Sequence, residues 1–348
     1  MTRAAFLPTP GDPFVLRFWA DYCQKFWIDE VDRLYVNLNI PPWVSSPVVN
    51  ACWESMLQFD GKLRLIGSEM TQHGDAINRM LSECGEDHIV LMEDDCPVFK
   101  SGHIDAQFKK IEKGGGYDLV GSPRLSGSQE IWDATNVRYA EDMRGQPAAD
   151  QGPNYWPCMF FIAREWLLLT DRNFNAKTWP KGTFIPELQI TAKEVVTGDT
   201  FVWASIQLRD RFLRSAYVCQ YHSYPHDLEM RRNREHLWDG KCPWIHMGSL
   251  SGLVGGSPEC WMFSSPDIFR GHLNKLAVSV RQHDSLRVEF NRRYAWVQLI
   301  FERTRNLVKL PSDLMLNYEV NLNACVRILG LDQNYIDTLK SAYKELLP

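Results

Sequence analysis

The sequence has no CxxC pair and no cysteine–histidine spacing of the kind that holds structural zinc, although it carries nine cysteines. An odd number of scattered, mostly apolar-flanked thiols is the pattern of reduced cysteines in a cytosol-like compartment. Long hydrophobic runs are missing too. The most apolar stretch, WPCMFFIAREWLLLT, is broken by Arg164 and Glu165 and is too short to span a bilayer. The first residues, MTRAAFLPTPGD, contain no h-region, so a soluble, cytoplasmic protein with no membrane partner is expected. No internal repeat or low-complexity tract is present. A formal net charge of −5 gives no global argument for a polyanionic partner.

What is present is an ordinary globular composition, 45% hydrophobic and 23% charged, over a length of 348 residues that suits one large domain or a domain with an appendage. The charge is unevenly spread. Residues 266–348 hold twelve basic and nine acidic side chains, a net of +3 against −8 for residues 1–265. The early chain alternates in type. AAFL, RLYVNLN, KLRLIG and HIVLME read as strands, separated by helical patterns over about 13–29, 46–59 and 74–84. That alternation predicts an α/β fold with a mostly parallel sheet flanked by helices, in which ligands sit at the carboxyl ends of the strands. A helix over 103–113 and the strands YDLVGSP and WPCMFFIA follow, the two strands separated by a polar loop over 122–155. REWLLLT begins a helix, 173–187 is a Pro/Gly-punctuated stretch, DTFVWASIQLRDRF is helical and SAYVCQYH is a strand. From about 266 the pattern is helical, so residues 1–265 read as the sheet domain and 266–348 as a C-terminal helical appendage.

HIVLMEDDCPVF poses the chemical question. An apolar strand ends directly in Glu93, Asp94 and Asp95 and turns at Pro97, and adjacent carboxylates at a buried edge repel one another unless a positive charge joins them. Carboxylates at the end of a parallel strand are suited to hold Mg²⁺ or Mn²⁺, which take a few protein oxygens and complete their shell with phosphate and water. Thr9, Pro10, Gly11 and Asp12 end the first strand, and Asn37 and Asn39 the second, on the same edge.

HIVLMEDDCPVF resembles the DxD element of GT-A glycosyltransferases, with Glu93, Asp94 and Asp95 in the motif positions. Further segments are similar to that family in order and spacing. SEMTQHGDAINRMLSEC resembles the helix that touches the nucleotide sugar in inverting members, which implies donor contacts from His73, Asp75 and Asn78, although Gly74 and Asp75 also suit a plain helix start. EVVTGDTFVWAS resembles the acidic element at a helix start. There Asp199 would be the general base, and an Asp in that position is also a good helix cap. His222, which closes SAYVCQYH, matches the histidine that completes cation coordination beside Asp95. Glu93 and His246, in PWIHMGSLSG, are the alternates.

The resemblance spans about residues 1–250. It implies a nucleotide-sugar donor, UDP-linked by default, held by Thr9, Pro10, Gly11, Asp12, Asn39, Glu93 and Asp94, with Mn²⁺ or Mg²⁺ as cofactor and inversion at the anomeric carbon. Asn37 and Asn39 stand where many members have an Asp for the uracil imide, which leaves the nucleotide open.

The acceptor has to be read from other segments. HDLEMRRNREHLWDGK sets Arg231, Arg232 and Arg234 near Trp238. RVEFNRRYAWVQLIFERTRNLVK interleaves Arg292, Arg293, Arg303 and Arg305 with Tyr294 and Trp296, a pattern open to phosphate tracking and base stacking or to a plain helix with a basic outer face. Trp156 is placed near the acceptor by chain order. The whole chain is more narrowly similar to phage-type glucosyltransferases that modify hydroxymethylated pyrimidines in DNA, including the base-J-associated enzyme. That implies DNA as acceptor, glucose as the sugar and, for a phage protein, the host cytoplasm. A glycan, protein or small-molecule acceptor is one alternative. A non-catalytic nucleic-acid-binding module on the same scaffold is another. A nucleotidyltransferase would need a basic glycine-rich loop where PTPGDP stands, and a metal nuclease would spread its acids over several strands.

Overall fold

The computed structural model describes residues 1–41, 44–114, 119–124, 154–186, 190–198, 200–204, 207–208, 216–218, 244–247, 250 and 262–347. Its centre is a seven-stranded sheet in the order β11-β5-β6-β4-β1-β2-β3. The strands are β1 (Arg3–Thr9), β2 (Arg33–Leu38), β3 (Leu63–Gly67), β4 (His88–Met92), β5 (Leu119–Arg124), β6 (Asn154–Ala163) and β11 (Ala216–Val218). Four neighbouring pairs are parallel, and β6 runs antiparallel to both β4 and β5. The mostly parallel, helix-flanked layout is the one the alternating sequence pattern predicts.

The sheet is covered on both faces, which is why its central strands are apolar throughout. Ala5, Leu7, Val36, Val90 and Met92 face one cluster together with α1 (Pro13–Phe26) and α2 (Ser46–Met56). Phe6, Tyr35, Ile89 and Leu91 face the other, together with α3 (His73–Glu83) and Phe174, Phe201 and Leu208. Helix α4 (His103–Ile111) joins the first face through Ile104 and Phe108. The short helix α5 (Arg164–Leu168) follows β6.

Two small ribbons were not visible in the punctuated stretch: β7 (Lys177–Trp179) with β10 (Val196–Gly198), and β8 (Phe184–Ile185) with β9 (Ile190–Thr191). Trp179, Ile185 and Val196 of these ribbons pack in one hydrophobic cluster with Val202 and Trp203. In the segment expected to be one helix over 199–212, the described residues are helical at 202–204 and 207–208.

The C-terminal region forms α6 (Pro266–Gln282), α7 (Asp284–Thr304), α8 (Ser312–Leu329) and α9 (Gln333–Leu346). Helix α1 explains how it attaches. Leu16, Trp19, Ala20 and Cys23 repeat at helical spacing and face the sheet. Phe14, Val15, Phe18 and Tyr22 line the opposite face and share a core with Phe301, Tyr318, Leu322 and Ile336 of the C-terminal helices. Phe14 packs edge-on against Phe301 and Tyr318, and Arg303 donates to the Tyr22 hydroxyl at 2.8 Å. No helix among the described residues is long and apolar enough to cross a membrane.

Candidate metal centre at the carboxyl end of the sheet

Register places the first contact. Strand β1 pairs with β4 at a constant offset, Arg3 with His88 through Phe6 with Leu91. Continued to the end of β1, that offset sets Thr9 beside Asp94, and the Thr9 hydroxyl donates to Asp94 Oδ2 at 2.5 Å. The Gly11 amide donates to Thr9 Oγ1 at 3.1 Å, and Gly11 has φ +83, a conformation that glycine adopts without strain. A Cβ at Gly11 would lie 2.5 Å from Ile40 Cγ1. Asp12 then caps α1, its Oδ1 accepting from the Phe14 and Val15 amides at 2.9 and 3.1 Å.

Beyond β4 the chain turns, closed by Cys96 N–H to Glu93 O at 3.1 Å. It then runs antiparallel to residues 244–247: Val98 bridges Trp244, Ile245 N–H reaches Pro97 O, and Met247 N–H reaches Asp95 O at 2.9 Å. This register sets His246 level with Cys96. His246 Nε2 lies 3.5 Å from both Glu93 Oε2 and Asp95 Oδ1, and the imidazole is fully buried. One donor atom each from Glu93, Asp95, Cys96 and His246 lies within 4.8 Å of the others. The Leu250 amide points at Asp95 Oδ2 from 3.4 Å.

The electrostatics match the spacing. Burial raises the Asp94 carboxyl well above the usual range, and the Asp95, Glu93 and Asp12 carboxylates push the same way against the Thr9 hydrogen bond. Asp95 is raised by burial, with His246 opposing. Burial also takes Asp12 to about 6, against its two amide donors and the Tyr318 hydroxyl. Four carboxyl groups therefore crowd one strand end, and His246 Nε2 lies beside two of them, Glu93 and Asp95. Adjacent ligands on a divalent cation stand roughly 3 to 3.6 Å apart for bond lengths of about 2.0–2.2 Å. The 3.5 Å spacings fit a cation between these groups better than direct hydrogen bonds.

The other candidates fall as follows. Asn39 Oδ1 accepts from Asn37 Nδ2 at 2.9 Å and from Thr71 Oγ1 at 3.0 Å, and the Asn39 amide donates to Thr9 O at 2.7 Å. His73 starts α3. Asp75 accepts from Asn175 Nδ2 at 2.8 Å, and Asn78 donates to Arg172 O at 2.5 Å, so both tie α3 to the 172–175 segment on the same sheet face. Pro10 links Thr9 to the turn, and Trp156 lies in β6 three residues before Met159, the partner of Met92. Asp199, His222, Arg231, Arg232 and Trp238 lie outside the described residues.

Of the two readings open for residues 287–309, the plain helix is the one that fits. Tyr294 and Trp296 are buried, Trp296 being stacked on Tyr343 at 4.0 Å, so neither is placed to stack on a base. Arg293 pairs with Glu289, Arg305 with Glu319 and Arg303 with Tyr22, the bonding of an ordinary solvated helix face. Sequence reasoning missed two members of the site. Cys96 reads in the sequence as one of the scattered reduced thiols, although it directly follows the acidic run. Tyr318 carries no sequence signal that links it to Asp12.

No model of a known protein family matches the chain, and no curated protein matches it. Among solved structures it is similar to glucosyl-3-phosphoglycerate synthase from Mycobacterium tuberculosis. The complex of that protein with Mn²⁺ and UDP-glucose shows 14% identity and a TM-score of 0.40, over 62% of this chain and 68% of that one. Its complex with UDP shows 14% identity and a TM-score of 0.40, over 66% and 74%. Its complex with phosphoglyceric acid shows 14% identity and a TM-score of 0.39, over 62% and 69%. Such scores describe a loose likeness of backbone layout, and the chemistry of the site rests on its own geometry.

Proposed function

We propose that this chain is a cation-dependent glycosyltransferase that moves a sugar, of the glucose type, from a nucleotide-diphosphate donor, UDP-linked, to an acceptor hydroxyl. The observation that carries the reading is the convergence of Glu93, Asp95 and His246 at the carboxyl end of β4, next to the Asp94–Thr9 pair at the end of β1. Crevices at the carboxyl ends of parallel strands are where α/β sheets take nucleotides. Bound between these side chains, Mn²⁺ or Mg²⁺ supplies Lewis-acid neutralisation of a departing diphosphate. Asp94, oriented by Thr9, and the Gly11–Asp12 turn face the donor. Asp199 is assigned as the base that takes the acceptor proton, with inversion at the anomeric carbon. His222 remains a further ligand candidate on sequence resemblance. The proposed acceptor is a 5-hydroxymethylpyrimidine base in DNA. It now rests on the segment with Arg231, Arg232 and Trp238 and on Trp156, since the α7 aromatics are buried.

The test is release of UDP or GDP from a panel of nucleotide sugars with Mn²⁺, Mg²⁺ or EDTA, with and without DNA containing 5-hydroxymethylpyrimidines. Turnover is expected with the cation, is lost with EDTA, and falls at least about a hundredfold in Asp95→Asn. Stimulation by the modified DNA supports the acceptor. Turnover without that stimulation removes it and directs the search to glycan, protein or small-molecule hydroxyls. Donor binding without turnover would favour a binding module.

A further inference from the structure

Successive residues of an extended strand point to opposite faces, so Asp95 and Cys96 would ordinarily diverge. The turn closed by Cys96 N–H to Glu93 O brings them together, and the fully buried Cys96 thiol donates to Asp95 Oδ1 at 3.5 Å. Its sulfur thus sits within the 4.8 Å set of Glu93, Asp95 and His246 donors, with the His246 backbone level with it across the strand pair.

Resting on the cation-site reading above, we propose that Cys96 is itself a ligand, and that the site therefore takes a thiophilic divalent cation of the Zn²⁺ class in preference to Mg²⁺. Sulfur, imidazole nitrogen and carboxylate oxygen are all donors that zinc accepts, with lengths of about 2.3 Å to sulfur and 2.0–2.2 Å to nitrogen and oxygen. Tetrahedral edges for those lengths run roughly 3.3 to 3.7 Å, and expansion to a fifth position would leave room for the donor's diphosphate. The four side chains need to close by about 1 Å from their widest separation. Mg²⁺ asks for an octahedral shell of oxygens, which a thiolate cannot join. Mn²⁺, softer and less demanding, is accepted between these extremes. On coordination the thiol proton passes to the buffer and the sulfur binds as thiolate.

The test uses the full chain, stripped of metal and titrated with Co²⁺, Zn²⁺, Mn²⁺ and Mg²⁺ beside Cys96→Ser, Cys96→Ala and His246→Ala. One equivalent of Co²⁺ is expected to give a near-ultraviolet thiolate-to-metal charge-transfer band that both Cys96 variants lose. Their Zn²⁺ affinity is expected to fall at least about tenfold, and their Mn²⁺ affinity by less. X-ray absorption at the zinc edge of the wild-type protein should show one sulfur neighbour at about 2.3 Å, a readout that needs no variant. An unchanged band and Zn²⁺ affinity in the Cys96 variants, or a zinc shell without sulfur, overturns the proposal. If His246→Ala alone weakens binding, the cation site stands without its thiolate. If His246→Ala binds every cation as tightly as wild type, the cation site itself is wrong.

Discussion

Asp12 shows how a single side chain at this strand end serves two masters. Oδ1 accepts both free amides of the first turn of α1, while the rest of the carboxyl faces the buried Tyr318 hydroxyl. Its folded value of about 6 lies above the ordinary 3.8 because burial outweighs these donors. The native state therefore holds the proton more tightly. The contribution to stability is complete below about pH 4 and is lost as pH rises through about 6, a difference of about 3 kcal/mol. Asparagine caps a helix as well as aspartate does but does not ionise. In EDTA, the melting temperature of Asp12→Asn relative to wild type should therefore rise by several degrees between pH 4.5 and pH 7.5. A pH-independent gap would show that Asp12 ionises at its ordinary value. At this scale the sequence makes Glu93, Asp94 and Asp95 legible, because an apolar strand that stops in three carboxylates demands a positive partner. It ranks His222 over His246, since nothing local reveals that residues 244–247 pair with 95–98. The roles of Cys96 and Tyr318 depend on a turn and on a distant helix, and neither is written in their neighbours.

Elements were more legible than their directions. Buried strands read as continuous apolar runs whichever way they point, so Met159–Ile162 announces β6 but not that it reverses between β4 and β5. Ribbons of two or three residues, such as β8 and β9, are too short for a period to register. Gly74 is a case where the element decides the residue. It is the second residue of α3, where the chain passes so close that an added Cβ would stand 2.3 Å from Phe174 C and 2.3 Å from Asn175 N, both backbone atoms. Backbone cannot rotate away as a side-chain tip can, so Gly74→Ala must push α3 from the 172–175 segment and strain the Asn78 to Arg172 hydrogen bond. A cost of about 1–3 kcal/mol is expected. Gly85, whose Cβ would meet nothing within 4 Å, is the control, and Gly85→Ala should stay within about 0.5 kcal/mol of wild type. Urea denaturation of the two variants checks this, and equal midpoints would refute the close approach.

At the scale of the molecule, the sequence division into a sheet domain and a helical appendage meets a core that crosses the boundary. Phe14, Val15, Phe18 and Tyr22 of α1, with Val48 and Ala51 of α2, share one buried cluster with α6 to α9. Stripping residues 266–348 would bare this face of α1. Phe14, Phe18 and Tyr22 alone forfeit about 2–3 kcal/mol each on returning to water, a sum comparable to the whole stability of many domains, about 5–15 kcal/mol. The loss also reaches the site. Helix α1 is capped by Asp12, and the adjoining Gly11 amide donates to Thr9 Oγ1, so the turn at the site is continuous with the helix that carries Phe14, Phe18 and Tyr22. A chain of residues 1–265 is therefore expected to lack a cooperative melt, to bind a hydrophobic dye, and to lose the stoichiometric cation binding of the full chain. Near-ultraviolet circular dichroism, dye fluorescence and Mn²⁺ titration of the truncated protein measure the three. A soluble, cooperatively melting 1–265 that still binds Mn²⁺ would show that the helices are an accessory to the site. An unfolded one would make them the outer wall of the fold that positions it.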